Sequence, residues 1–548
     1  MSIPFSRSID KRSGVQLNHI NDMSEMPSVS TVAHNMAIAG RFARGRTDKV
    51  FAVSRGKVKR TLGAAQSLSV SALGEPYVHI SEALKGGTAQ AIVSRLVSAD
   101  ATNKLMVATA VVAPAEGQPA PTVWTLVDEE TGATGTYLIA IKHLECFSEG
   151  VKAEIHADAA TDAEGDPAAS KIIVLQLRDV NTNAIVLGPY KGSLDPAALD
   201  EFGKTYFIGD IVTQYTDLLE VVDVHAAAEV PATCVFYGKK DNKDAFASAA
   251  LIPFTEGPTL YTTADLDAAV DRIRRSKPTF TYIGLGGTES VALISRLLEL
   301  GKEINKQAPW DIPGRLTPEA AKIFYDSVGG ATDSLYSQCY WAPIMATNPE
   351  VGGKAFMGTS GLNIGLRCAR NAQTNAKGIA PRNVVIAGSD FAVNRTNMVQ
   401  TYEPSDDELE LLAASRINPV LFKDYASGGK YAWIDSLTGA QTEGASKLIA
   451  VVEMATYVDD TIASAAQEAL QKPMAKAIKQ TTKFIATFLE SLQSAEWLQP
   501  SEELDGACYS ATIQANANQP FEKMNIDTSI CYDGTARIIV QQQSIVRT

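Results

Sequence analysis

Apolar positions along this chain switch between a two-residue and a 3.6-residue period, and each switch predicts a change of element. TVAHNMAIA (31–39) and AQAIVSRLV (89–97) read as strands. Between 102 and 262 the runs LMVATAVVA, TVWTLV, GTYLIAI, VKAEIHA, KIIVLQLRDV, AIVLG and CVFYG are short, β-type and separated by Gly, Pro and Asp turns. The acidic stretch DAATDAEGDPAA (158–169) is expected to be a loop among them. At Phe280 the texture becomes strand, glycine turn and helix: FTYIGLGG, then TESVALISRLLELGKEI. Ser405 followed by Glu408 has capping-box spacing for a helix, which Asn418-Pro419 is expected to close. Ser446–Leu470 reads as a long Ala-rich helix, with Pro473 in the first turn of the next. CYSATIQA, NIDTSICY and ARIIVQQQSIV (536–546) read as closing strands.

That next helix, KPMAKAIKQTTKFIATFLESL (472–492), is strongly two-sided. At ~100° per residue, Lys472, Lys476, Lys479 and Lys483 share an arc of about 60°. Met474, Ile478, Ile485, Phe488, Leu489 and Leu492 gather opposite, with Phe484 at the margin. In a chain of net charge −13, four lysines with no acid until Glu490 suggest either an acidic partner or a solvated face. The last strand is uncharged from Ile538 to Val546, so it needs a pairing partner in its own sheet or a neighbour's.

A length of 548 residues predicts several domains. The pattern divides as an N-terminal arm (1–30), a discontinuous α/β core (31–101 and 263–385), an inserted β-rich domain (102–262), a C-terminal α/β domain (386–528) and a terminal strand (529–548). The expected class is α/β multidomain with an inserted β-rich domain and extended terminal arms. No run approaches the ~18 apolar residues of a membrane span, and MSIPFSRSIDKRSG lacks the apolar core of a signal peptide, so a cytosol-like compartment is expected.

Residues 40–63 hold eight basic side chains (Arg41, Arg44, Arg46, Lys49, Arg55, Lys57, Lys59, Arg60) against Asp48. Basic clusters can bind nucleic acid. Interleaved glycines and few aromatics favour a local protein contact here.

Candidate chemistry is sparse. Six cysteines lie far apart in sequence and read as reduced thiols, not a disulfide frame or zinc site. All six histidines fall at or before His225, so Ser-His or Cys-His chemistry is not expected in the second half. GLGG lacks the third glycine of a dinucleotide turn and the Lys of a P-loop. Asp406-Asp407-Glu408 suits a helix N-terminus, and Asp459-Asp460 has no histidine nearby. Gly358-Thr359-Ser360-Gly361 fails the GxSxG spacing of a nucleophile elbow. No catalytic residues, cofactor or metal ligands are assigned, and an enzyme is not expected.

The order of segments resembles the contractile tail sheath proteins of myophages and related injection machines. AIAGRFARGRTDKVFAVSRGKVKRTLG is similar to the family's early strand and glycine turns, and GGTAQAIVSRLV to its "GG…A.vvRV" strand. SQCYWAPIMATNPEVGGKAFMGTSGLNIGLRCARNAQTNAKGIAP resembles its tyrosine-rich strand, Ser-Gly turn and small-residue helix. On that match Tyr340, Trp341, Pro343, Ser360, Gly361, Gly365, Arg370, Gly378, Ala380 and Pro381 carry the family's structural pattern. DDELELLAASRINPVLF resembles its "giNpi" element. Departures are Met357-Gly358-Thr359 where a double proline is usual, Asn371-Ala372 where an aspartate follows the helix, and YAWIDSLTGAQT for "WG.rT".

The resemblance implies a subunit of a contractile phage tail sheath, stacked as hexameric rings around an inner tail tube and contracting to drive that tube through the host envelope. It implies contact with tube, baseplate and tail terminator proteins, no direct nucleic acid and no membrane insertion. It also implies assembly in the host cytoplasm into a virion tail. Terminal arms would exchange strands between subunits, which points to Ile3, Phe5, Ile538, Val540, Ile545 and Val546. The lysine stripe would face the tube. Another self-assembling virion or shell-lattice protein, and more distantly a nucleotide-binding α/β enzyme, stay open at this point.

Overall fold

NMAIAG, the first predicted strand, is buried on both faces, as a parallel strand inside a sheet must be. The computed structural model describes residues 34–543 apart from 70, 102–104, 111–121, 128–136, 148–149, 158–159, 162, 166, 226–227, 231–246, 249–253 and 278. The arm 1–30 and the run CVFYG therefore lie outside the described residues.

In the larger unit (34–370 with 385–449), β1 (Asn35–Gly40) is the hub. It is followed by β2 (Phe51–Ser54), α1 (Glu75–Gly86) and β3 (Gln90–Arg95). β4 (Tyr282–Gly284) and β3 both pair with β1 in parallel, and β2 closes the sheet antiparallel to β3. The glycine turn after β4 feeds the helix Val291–Glu303, the βα unit predicted from GLGG. A parallel bridge, Tyr282 to Gln307, joins this sheet to a second one of β5 (Ala308–Ile312), β6 (Ser337–Trp341), β7 (Ile417–Tyr425) and β8 (Gly428–Trp433). Between β6 and β7 run α2 (Ser360–Asn371) and α3 (Asp406–Ala414). Packed around the strands, Ile92, Ile283, Leu297, Trp310, Trp341 and Ile417 form one core.

Compactness divides the chain differently from the expected segments. Residues 386–449 cluster with the larger unit because β7 hydrogen-bonds to β6. The capping box of Ser405 and Glu408 is present. Asn418-Pro419 does not close α3, which ends instead at a left-handed turn on Arg416 (φ 61°). Asn418 lies inside β7, where its buried amide donates to the Cys339 and Leu437 carbonyls at 2.9 and 2.8 Å and accepts from Leu437 N at 2.6 Å.

The described residues of 102–262 contribute two four-stranded sheets. One sheet runs Ile185–Ser193, Ile172–Asp179, Val151–Ala157, Ala247–Ser248; the other runs Leu219–Val224, Ile139–His143, Met106–Ala110, Thr122–Leu126. Ile141, Ile155, Leu175 and Phe254 fill a separate core between them. The basic segment is the clamp that holds this insert. Arg41 pairs with Glu256 at 2.6 Å, Arg44 with Glu145 at 2.6 Å, and Arg46 with Asp48 at 2.7 Å and with Asp217. Arg95, fully buried, also meets Glu256 at 2.7 Å. The partner of these arginines is the chain's own insert.

His143 sits inside this clamp, edge-tilted on Phe254 at 5.2 Å. Burial, then the charges of Arg44 and Arg95, push its pKa down to about 3. In the unfolded chain His143 takes up a proton near its ordinary value, about 6.5, while the folded site stays neutral. Folding stability should therefore fall by about 1.4 kcal/mol per pH unit as pH drops below ~6.5. Urea unfolding from pH 7 to 5, above most carboxylate titration, should show this slope in the native chain and lose it in His143→Gln.

Candidate assembly interface

The smaller unit (371–384 with 450–543 among the described residues) begins from two long helices, α4 (Ile449–Ala469) and α5 (Met474–Ser494). Pro473 stands at the N-cap of α5, one position earlier than predicted, with ψ 135° outside the helical range. Ala477, Thr481, Ile485, Phe488 and Leu492 form the buried seam of α5. Met474, Ile478 and Phe484 are half-buried beside it. Phe488 meets Tyr457 at 6.1 Å, and Tyr457 meets the fully buried Trp497 edge-on at 5.6 Å. Arg382 lies over the Tyr457 ring at 4.6 Å and near Glu453 at 3.7 Å, so a buried cation is met by a ring face and a carboxylate. Trp497 Nε1 donates to the Ala380 carbonyl at 3.1 Å.

Lys476, Lys479 and Lys483 are exposed on the side of α5 opposite its buried seam; Lys472, also exposed, precedes the Pro473 cap and so lies in the turn before the helix, not on its predicted arc. Lys472 donates to Gln480 at 3.1 Å. Among the described residues none of the four is paired with a carboxylate.

β9 (Tyr509–Ala515) and β10 (Met524–Ile530) make a hairpin in register from Tyr509–Ile530 to Ala515–Met524. Half-buried Tyr509, Ala511, Ile513 and Ala515 alternate with exposed Ser510, Thr512 and Gln514. No third strand joins this sheet among the described residues. Beyond it, Tyr532 bridges to Leu498 and Asp533 N donates to the Trp497 carbonyl at 2.8 Å. The predicted strand 536–546 is not formed over its described part, 536–543. A lone strand cannot satisfy its own amides, and no strand pairs with 536–543 among the described residues. Ile538 and Val540 are 79% and 89% exposed. Ile3, Phe5, Ile545 and Val546 lie outside the described residues.

The remaining motif residues serve packing. Tyr340 and Trp341 lie on β6; the Tyr340 hydroxyl accepts from Arg367 at 2.8 Å and Trp341 Nε1 donates to the Leu316 carbonyl at 3.1 Å. The Pro343 carbonyl accepts from Thr401 N at 2.8 Å, and that of Pro381 from Val384 N at 3.1 Å. Arg370 is buried, and Gly378 has φ +76°. A Cβ on Gly361 would stand 2.6 Å from His79 Cα, and one on Gly365 2.8 Å from the Ala83 carbonyl oxygen. Those glycines let α2 touch α1 backbone to backbone.

Ser360 holds a surprise that sequence separation hid: His79, 281 residues earlier, reaches it. Ser360 Oγ is 3.3 Å from His79 Nδ1, and His79 Nε2 is 3.3 Å from Glu75 Oε1. The expectation that the second half has no imidazole is corrected by tertiary contact. The array still lacks what a nucleophile needs. Ser360 is fully buried. The amides of Thr359 and Ser360 donate to Asp311 at 2.6 and 3.1 Å, and that of Gly361 to His79 Nδ1 at 3.0 Å. Every donor an oxyanion would use is taken. The cluster is a helix cap: Asp311 supplies negative charge at the N-terminus of α2. Burial opposes charge on His79, but the bond to Glu75 and the fields of Asp311, Glu75 and Glu82 more than offset it and raise its pKa. No three His, Cys, Asp or Glu side chains gather as a metal site among the described residues.

No family model matches the chain, and no curated protein matches it. Solved structures similar to it include the sheath tail protein of Listeria innocua, at 10% identity over 91% of this chain and 94% of that one, TM-score 0.48. A chain of the anti-feeding prophage baseplate is 14% identical over 55% of this chain and 76% of that one, TM-score 0.40. A chain of the contracted sheath complex of an extracellular contractile injection system (PVC) is 16% identical over 55% and 76%, TM-score 0.41.

If Ser360 is a cap residue and the glycines are contact points, their substitutions should rank accordingly. Gly361→Ala should lower unfolding free energy by about 1–3 kcal/mol through overpacking. Ser360→Ala should cost under about 1.5 kcal/mol, the worth of one neutral hydrogen bond. Urea unfolding followed by tryptophan fluorescence measures both.

Proposed function

We propose that this chain is a structural subunit of a contractile tail sheath that assembles with copies of itself around an inner tube. The observation that carries the reading is the C-terminal segment at Ile538–Val540, apolar and exposed, which follows in sequence a hairpin that no third strand joins among the described residues. An uncharged segment that pairs with no strand among the described residues, following a sheet that no third strand joins there, offers half of a β-augmentation joint. The ordered sequence resemblance over most of the chain supplies the context: an inserted outer domain (102–262), a C-terminal assembly domain facing the tube (386–528) and a C-terminal linker strand (529–548). The N-terminal arm would supply a second exchanged strand through Ile3 and Phe5, and Ile545 and Val546 would extend the C-terminal one. The backbone bonds would hold neighbouring subunits while the linker absorbs rotation between extended and contracted states.

In this reading the exposed lysine stripe of α5 grips an acidic tube surface. Exposed ion pairs are weak singly and screened by salt, which suits a contact that must release on contraction. Baseplate and terminator proteins would meet the two ends of the assembly, in a phage tail put together in the host cytoplasm. Motif residues such as Tyr340, Trp341 and Arg370 would keep the subunit rigid during that change, and the chemistry needs no cofactor.

Two measurements test it. Deleting residues 536–548 should abolish tubes and ring stacks in negative-stain micrographs and leave a folded, soluble chain; normal tubes from that variant would overturn strand exchange. The double reversal Lys476→Glu, Lys479→Glu should reduce co-sedimentation with purified tubes at low salt at least tenfold while leaving circular dichroism unchanged. Undiminished binding would assign the stripe to solvent.

A further inference from the structure

Cys508 and Cys531, 23 positions apart in sequence, meet at the root of the β9–β10 hairpin. One step beyond the last ladder pair, Tyr509–Ile530, the Cys531 amide donates to the Cys508 carbonyl at 3.0 Å. The Cys531 carbonyl accepts from Gln499 N at 3.0 Å, so the two cysteines share one backbone bond. Residues opposite one another in an antiparallel pair have Cα atoms about 4.5–5.5 Å apart, inside the ~4.4–6.8 Å span of disulfides. Both are free thiols, Cys508 buried and Cys531 partly exposed. The other two described free cysteines, Cys339 and Cys368, are buried in the larger unit and lie in different elements.

The chain's path makes the spot consequential. Cys531 is the last residue tied to the hairpin before Tyr532 turns to Leu498 and the exposed tail departs. A covalent bond here would anchor the tail's point of departure to β9.

We propose that Cys508 and Cys531 form a redox-active thiol pair that closes to an intrachain disulfide when the protein meets a small-molecule disulfide. The more accessible Cys531 thiolate attacks one sulfur of the oxidant, giving a mixed disulfide and releasing one small thiol. The Cys508 thiolate then attacks Cys531 Sγ and expels the second. Two cysteine thiols lose two protons and two electrons, and the oxidant is reduced to two thiols. The pair stays reduced in a cytosol-like compartment and closes outside it. Closure restricts the unfolded chain across 508–531.

The test uses the full-length native chain and oxidised glutathione, followed by denaturing alkylation and peptide mass mapping. The expected product is a Cys508–Cys531 linked peptide within one chain, reversed by dithiothreitol. Cys508→Ser should stop at a single glutathione adduct on Cys531, and Cys531→Ser should leave Cys508 reduced. Retention of both thiols in the native chain overturns the proposal. So does a stable adduct on Cys531 beside a free Cys508, or a bond between two chains.

Discussion

The larger unit depends on one contact: α1 and α2 touch backbone to backbone. Gly361 and Gly365, one helical turn apart, face His79 and Ala83, while Gly86 stands 3.0 Å from where Gly365 Cα already lies once a Cβ is imagined on it. No side chain larger than hydrogen fits these positions. The approach brings α2's N-terminus within reach of Asp311 on β5 and His79 on α1. One helix end is thereby capped by two elements that lie 48 and 282 residues away. Its charge is settled locally, because Arg395 offsets Glu82 at 2.7 Å and donates to the Met357 carbonyl at 2.8 Å in the same loop.

A second constraint fixes the insert. Its sheets own a core of their own, so apolar burial alone would leave it hinged on its two connections. The arginines of 41–46 and the buried Arg95 remove that freedom by reaching Glu145, Asp217 and Glu256. Removing one partner of a buried pair leaves an uncompensated charge, which costs more than the pair itself contributes. The cluster therefore sets geometry more than it adds stability. The segment read as a local protein contact spends three of its eight cations on the chain's own carboxylates.

The smaller unit differs in kind. Tyr457, Phe488 and Trp497 close its core, and Arg382 is covered by a ring face and Glu453. What is left exposed, among the described residues, is a hairpin without a third strand, the segment Ile538–Val540 and four lysines without a carboxylate partner. In the proposed assembly, stability within the subunit and adhesion between subunits would be carried by different surfaces. That separation would let neighbours move without unfolding, the requirement of the contractile reading.

Element type was legible wherever it rested on local forces. The period of apolar residues marked β1, β3 and the βα unit at GLGG; the Ser405–Glu408 cap marked α3; the two-sided pattern placed the lysines of α5 on its exposed face. Each depends on neighbours within a few residues. Sequence order also carried the resemblance, and two of its positions, Gly361 and Gly365, sit where a Cβ would meet the backbone of α1. Long-range pairing was not legible. Nothing in the one-dimensional pattern joins His79 to Ser360, Arg44 to Glu145, Cys508 to Cys531, or strand 417–425 to strand 337–341. Asn418-Pro419 reads locally as a helix stop because proline lacks an amide, yet tertiary pairing makes it strand by giving Asn418's side chain the missing bonds. Local sequence determined which elements form and which faces are wet; only the tertiary structure decided which distant polar groups meet, because those bonds gain strength only once water is excluded around them.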